Sequence, residues 1–256
     1  MALFALLALT PTFIKPAQAA IATYQVGVVN SHEPSGEAPP FASALPGYTL
    51  RYINDFIGTR LPAGWYTFTG VPGGDPGGQF ASSHVTVSNG LLQLNTWRDQ
   101  RYHNHWVTGG LCQCQLTQTY GAYFVRSRVT GAGPNEVELL WPATNRWPPE
   151  IDFSETLGKL TFTSATLHYG RSNVMVHRTI NIDMTQWHTW GVIWTPTNIT
   201  YLVDGHDWGE VTQSSQIPRV PMTLDMEQRT RCTINRQCPS APVTMQVDWV
   251  AEYVPN

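Results

Sequence analysis

Charge is the scarcest ingredient of this sequence. Asp, Glu, Lys and Arg make up 13% of its 256 residues, as 18 acidic and 15 basic side chains with no long run of either sign. A net charge of −3 without a basic stripe leaves no electrostatic footprint for nucleic acid or an anionic membrane, so the expected partners are neutral. Long apolar runs are missing too: no stretch approaches the ~20 apolar residues of a membrane-spanning helix. Helical periodicity is nearly absent, which excludes a bundle or coiled coil. Cysteine is sparse, with Cys112 and Cys114 as C-x-C and Cys232 and Cys238 as C-x5-C. Neither spacing is C-x2-C and no His pair lies near, so disulfides are expected rather than zinc. A Cys232–Cys238 bridge closes a short loop. Cys112 and Cys114 sit too close along one expected strand to bridge comfortably, and crossed pairing between the two segments stays open.

What the chain has in quantity is turn formers and aromatics: 21 Gly, 19 Pro, 10 Trp, 10 Tyr and 9 Phe. Residues 1–19 combine an apolar stretch, Ala2 to Leu9, with Ala17-Gln18-Ala19, the pattern of a secretory signal, so export is expected. Residues 20–47 are polar and turn-rich and read as an arm or linker. The folded body, 48–256, shows no internal repeat and no second domain. Val85-Thr-Val87 and Leu92-Gln-Leu94 flank Ser88-Asn89-Gly90, a hairpin signal. Tyr123, Val125, Ser127 and Val129 alternate with Phe124, Arg126 and Arg128, and Met245, Val247 and Trp249 with Gln246, Asp248 and Val250, as strands with one buried face. Trp190–Trp194, Ile199–Val203 and the segment after Asp204-Gly205 form a three-strand meander. Many short antiparallel strands over about 200 residues predict an all-β, two-sheet sandwich.

Chemistry concentrates in Glu150-Ile-Asp152-Phe-Ser-Glu155, three carboxylates within six residues. Glu150 and Asp152 share one face of a strand; Glu155 joins them only if a bulge adds a residue between. Three carboxylates on one sheet face suit glycoside hydrolysis, in which a retaining enzyme uses two of them ~5–5.5 Å apart, one as nucleophile and one as acid/base. Trp141, Trp147 and His168 flank the acids and are the expected sugar-binding walls, with Trp106 and Arg101 on a nearby loop as further candidates. A solvated strand has no use for such a platform.

The chain resembles the family 16 glycoside hydrolases. The resemblance rests on Leu50–Phe56 with Trp65, Val85–Leu94, Tyr120–Val129, Leu139-Leu-Trp-Pro142, Glu150–Glu155, Trp187–Pro196, Tyr201–Gly205 and Val247–Tyr253, in that order. It implies a concanavalin-like jelly roll with a concave cleft, and a monomeric endo-acting hydrolase of β-1,3 or mixed-linkage β-glucan. Glu150 would be the nucleophile, Asp152 the assisting carboxylate and Glu155 the general acid/base, with no cofactor in the chemistry. The x-x spacing before Glu155 matches the bulged form of the motif. Pro149 stands where many relatives have Gly. The resemblance also implies a structural calcium on the convex face, held by Asp248 with the Gly90 carbonyl as companion. Two other functions remain open: a lectin-like binding module and a hydrolase of algal galactan. A polysaccharide lyase would want basic residues gripping uronates, which the charge balance disfavours.

Overall fold

The structure, a computed structural model, describes residues 24–233 and 238–256. The expected signal segment, 1–19, lies outside the described residues. The strands in chain order are β1 (Val28–Val29), β2 (Glu37–Ala38), β3 (Tyr48–Asn54), β4 (Tyr66–Thr67), β5 (Val85–Ser88), β6 (Leu91–Asp99), β7 (His105–Val107), β8 (Gly110–Cys112) and β9 (Gly121–Val129). Then come β10 (Asn135–Pro142), β11 (Glu150–Glu155), β12 (Phe162–Tyr169), β13 (Val174–Asn181), β14 (His188–Trp194), β15 (Ile199–Val203), β16 (His206–Val211), β17 (Met222–Arg229) and β18 (Val243–Pro255).

They build two antiparallel sheets, one ordered β13-β12-β11-β10-β17-β8-β4 and the other β16-β15-β14-β9-β18-β6-β5, with β3 also on β18 and β7 on β6. Their inner faces meet in one core that contains Leu92, Tyr123, Leu140, Phe153, Trp190 and Leu224. Helix is confined to two single 3-10 turns among the described residues. The β5–β6 hairpin closes through Asn89 and Gly90, both at positive φ (55° and 73°), with Ser88 paired to Leu91. A two-residue turn of this hand matches the twist of the strands it joins. The meander is β14-β15-β16.

Three expectations need correcting. β9 and β18 are buried on both faces, not one. The outer face of their sheet carries a second apolar cluster, Ala122, Phe124, Trp249, Ala251 and Tyr253, on which Val26 and Leu45 of the arm pack. The arm lies across this face as a strap: Trp249 Nε1 donates to the Glu37 carbonyl at 2.9 Å and the Tyr253 hydroxyl to the Phe41 carbonyl at 3.1 Å. Val247 and Trp249 also lie on opposite faces, because the register of β18 against β9 shifts between them and makes Asp248 the bulged residue. Finally, Cys112 bridges Cys114 as Cys232 bridges Cys238. β8 ends at Cys112, and the turn that follows brings the two Cα atoms to 5.0 Å, inside the range a disulfide spans. No helix among the described residues is long and apolar enough to cross a membrane.

Candidate active site

Strand alternation places Ile151 and Phe153 of β11 in the core and turns Glu150 and Asp152 outward. Alternation alone would then bury Glu155. Instead, Asp152 pairs with Thr166 of β12 while Glu155 pairs with Ser164, three residues set against two. On the other side Asp152 pairs with Leu139 and Glu155 with Val137. The extra residue is the bulge the spacing calls for. Ser154 turns inward and its hydroxyl bonds that of Thr163 at 3.1 Å, so Glu150, Asp152 and Glu155 all line one cleft of about 790 Å³ on the outer face of their sheet.

Each acid is fixed differently. Glu150 Oε2 accepts from Trp147 Nε1 at 2.6 Å, and Glu155 Oε1 from Asn135 Nδ2 at 2.8 Å. Asp152 is 3% exposed; its Oδ2 lies 3.3 Å from His168 Nε2, and its Oδ1 is buried without a partner. Burial first, and then the charges of Glu150 and Glu155, push the Asp152 carboxyl well above the usual range, because a charge in an apolar setting beside like charges is disfavoured twice. His168 Nδ1 in turn contacts Asn173 Oδ1 at 2.8 Å, and the Trp147 ring leans over the imidazole at 5.8 Å. Trp147 is 45% exposed, a platform for a sugar face as well as a hydrogen-bond donor. Trp141 lines the cleft too, its Nε1 donating to Asn145 Oδ1 at 2.8 Å.

Two proposed walls are elsewhere. Trp106, on β7 against β6, is buried beneath the Arg98 guanidinium at 5.0 Å and does not line the cleft. Arg101 is committed to Asp99, with Nε and Nη2 both on its carboxylate, and these hydrogen bonds hold that carboxyl below the ordinary range. The sequence reading also missed a second set of polar residues, on β17: Thr223, Asp225, Glu227 and Arg229 line the same cleft. Their alternation with the buried Met222, Leu224 and Met226 was the available signal.

On the opposite face, Asp248 is fully buried. Its Oδ2 accepts the Ser35 amide at 3.0 Å, and its Oδ1 has no partner among the described residues. Burial first, and then the charges of Asp248 and Asp55, raise Glu33; burial, and then the charge of Asp55, raise Asp248. Gly90 abuts Pro34 of the arm.

A family model for glycosyl hydrolases family 16 matches residues 78–251. An endo-1,3-1,4-β-glycanase of Rhizobium meliloti is 33% identical over 94 residues, which are 35% of this chain and 20% of that protein. The match thus spans about a fifth of that relative's length. The laminarinase of Rhodothermus marinus superposes with a TM-score of 0.74 at 20% identity, covering 83% of this chain and 99% of the other. The endo-β-1,3-glucanase of Pyrococcus furiosus gives 0.70 at 20% identity, covering 82% and 96%. Those two likenesses establish the fold, a family 16 jelly roll. Together with the family match over most of the folded body, they make this chain a member of glycoside hydrolase family 16.

Proposed function

We propose that this chain is a secreted, endo-acting β-glucan hydrolase that cleaves with retention. The observation that carries this is the β11 bulge, which brings all three acids of Glu-x-Asp-x-x-Glu to one side of a cleft. The relatives named above include an endo-1,3-1,4-β-glycanase, a laminarinase and an endo-β-1,3-glucanase, which supports a β-glucan as substrate. The two disulfides and the apolar leader support export to an oxidising compartment.

In this mechanism the Trp147 indole holds one oxygen of Glu150 and leaves the other to attack the anomeric carbon. Asn135 likewise holds one oxygen of Glu155 and leaves the other to protonate the departing glycosidic oxygen. The glycosyl ester on Glu150 is then hydrolysed by a water that Glu155, now a carboxylate, deprotonates. Asp152, kept protonated by burial between the two, offers a hydrogen bond to Glu150 when the ester breaks and charge returns there. Reducing-sugar release from laminarin, lichenan, carboxymethylcellulose and agarose tests the substrate class. NMR of the first-formed product tests the stereochemistry: a β-anomer is expected, and an α-anomer would overturn the mechanism.

The convex face fits a hard cation. The Asp248 Oδ1 without a partner among the described residues is an oxygen donor of the kind that suits calcium; Glu33 and Asp55 act on this site through their charge but are not gathered with Asp248 into a ready cluster among the described residues. Asp248 would hold it, with carbonyls of the arm and of Gly90 completing the shell. Its contribution would be to pin the strap to β18; it takes no part in the chemistry.

A further inference from the structure

The strand register arranges the cleft floor as a grid. In one row stand Asp152, Leu139, Asp225 and Cys112; in the next, Glu155, Val137 and Glu227. Neighbouring strands lie ~4.8 Å apart, so the two acid columns on β11 and β17 are about 10 Å apart with an apolar column between them. A pyranose laid with one face on Leu139 and Val137 would have the reacting acids at one edge and Asp225 and Glu227 at the other.

We propose that Asp225 and Glu227 are specificity-determining residues, which grip the hydroxyls of the sugar beside the scissile bond and restrict that position to a neutral, unsubstituted hexose. This rests on the proposed function and narrows its substrate to glucans free of sulfate or uronate groups there. Both side chains are preset. Asp225 Oδ1 takes the Thr223 hydroxyl at 2.9 Å, and Glu227 Oε1 is paired with Arg229 Nε.

Two guanidiniums line the cleft, Arg229 and Arg231, and the charge of Arg229 is turned to Glu227, which its Nε faces, while its Nη1 donates to the Gly73 carbonyl at 2.7 Å. A further acceptor sits unpartnered on this cleft among the described residues, Asp75 Oδ1, on a residue 1% exposed. Buried acceptors without donors are satisfied by a ligand that brings O–H groups, as a hexose does and a sulfate ester does not. An anionic substituent would also bring charge over an apolar floor among six carboxyl groups, those of Asp75, Glu150, Asp152, Glu155, Asp225 and Glu227, which outnumber the two guanidiniums of the cleft, and burying an added charge there is costly.

The experiment compares laminarin with the same laminarin after partial sulfation, using the full chain and an Asp225→Asn/Glu227→Gln double variant. The wild type should cleave the neutral polymer, with kcat/KM falling at each step of sulfation. The double variant should raise KM for the neutral polymer by about tenfold with little change in kcat, and should narrow the neutral-over-sulfated ratio. If it does not fold by circular dichroism, Thr223→Val, which removes only the hydroxyl on Asp225, should shift KM and ratio in the same direction. Equal cleavage of both polymers by the wild type, or a ratio that neither folded variant moves, overturns the proposal while leaving the hydrolase intact. If the wild type cleaves neither polymer, the proposed function has failed instead, and protection against thermal unfolding then decides: laminaritetraose should raise Tm more than its sulfate ester, and equal or reversed protection overturns the inference.

Discussion

Asp152 and Asp248 are two buried aspartates placed at β-bulges on opposite faces of one sandwich. Asp248 keeps an Oδ1 without a partner among the described residues, while Asp152 shares its site with Glu150 and Glu155. They differ in what covers them. Asp152 opens onto a cleft and has two carboxylates as neighbours; Asp248 lies under the arm, takes the Ser35 amide, and feels the Arg126 charge as well as Asp55. The backbone device is the same, so the cover decides the role. Left open among like charges, the aspartate sits in an acid cluster on a cleft; covered by the strap, it is tied to the arm through the Ser35 amide.

The largest effect that could break this contrast lies on the cleft side. Glu150→Ala should lose on the order of 10⁴-fold or more of turnover on every glucan with Tm little changed, and a variant retaining full activity would remove Glu150 from its role. Glu155→Ala should lose less on an aryl glycoside, whose leaving group needs no proton, and added azide should trap a β-glycosyl azide detectable by mass spectrometry.

The strap side should respond in stability and not in kinetics. Arg126 is buried and holds the Ser35 hydroxyl at 2.6 Å, the Thr189 hydroxyl at 3.1 Å and the Glu37 carboxylate at 3.2 Å. Arg126→Met leaves those groups uncompensated and should cost about 2–4 kcal/mol in urea unfolding, with KM unaltered. A shift in KM would mean the two faces are coupled.

Trp147 separates platform from positioning. Trp147→Ala should cost about 1–3 kcal/mol in kcat/KM. Trp147→Phe keeps an aromatic face but loses the donor to Glu150, so it should recover KM more than kcat.

Acids between the sheets extend the comparison to groups that neither face exposes. Burial raises Glu138, on the inner face of β10, to about 7 and Glu252 to about 8. Between their unfolded value of about 4.3 and these folded values, the native chain holds protons that the unfolded chain has released. Stability contributed by these groups is therefore present at acid pH and lost as pH rises through 7 to 8. Tm should fall across that interval, and Glu138→Gln should flatten the slope. The smallest effect expected is from calcium, which should raise Tm by a few degrees at saturating concentration; Asp248→Asn should abolish the increment and leave kcat alone.

The sequence made the reacting acids legible because a bulge leaves a trace in spacing: E-x-D-x-x-E places its third acid correctly only if one residue is extra. The hairpin at Asn89-Gly90 was legible because few residues tolerate positive φ at both turn positions. What escaped was anything set by a distant segment. The arm buries Phe124 and Trp249 from outside, and nothing in the alternation of β9 announces a cover contributed about 100 residues earlier. Trp106 carries no mark that Arg98 will lie over it. Asp225 and Glu227 are an ordinary alternating strand until register sets them beside Leu139 and Val137. The C-x-C bridge needed a turn where strand pattern alone continued β8.

The bulge in β11 also makes the site sensitive to counting as well as to identity. A one-residue deletion between Asp152 and Glu155 would keep every acid in the chain and remove the need for the bulge: plain alternation would then turn the third carboxyl to the cleft, one residue's rise closer to Glu150. Substitution scans would never sample that event. Spacing in this one strand therefore sets the reach between the outer two acids as well as the face they share, and two different counts, with the bulge and without it, present the same three carboxyls to the cleft.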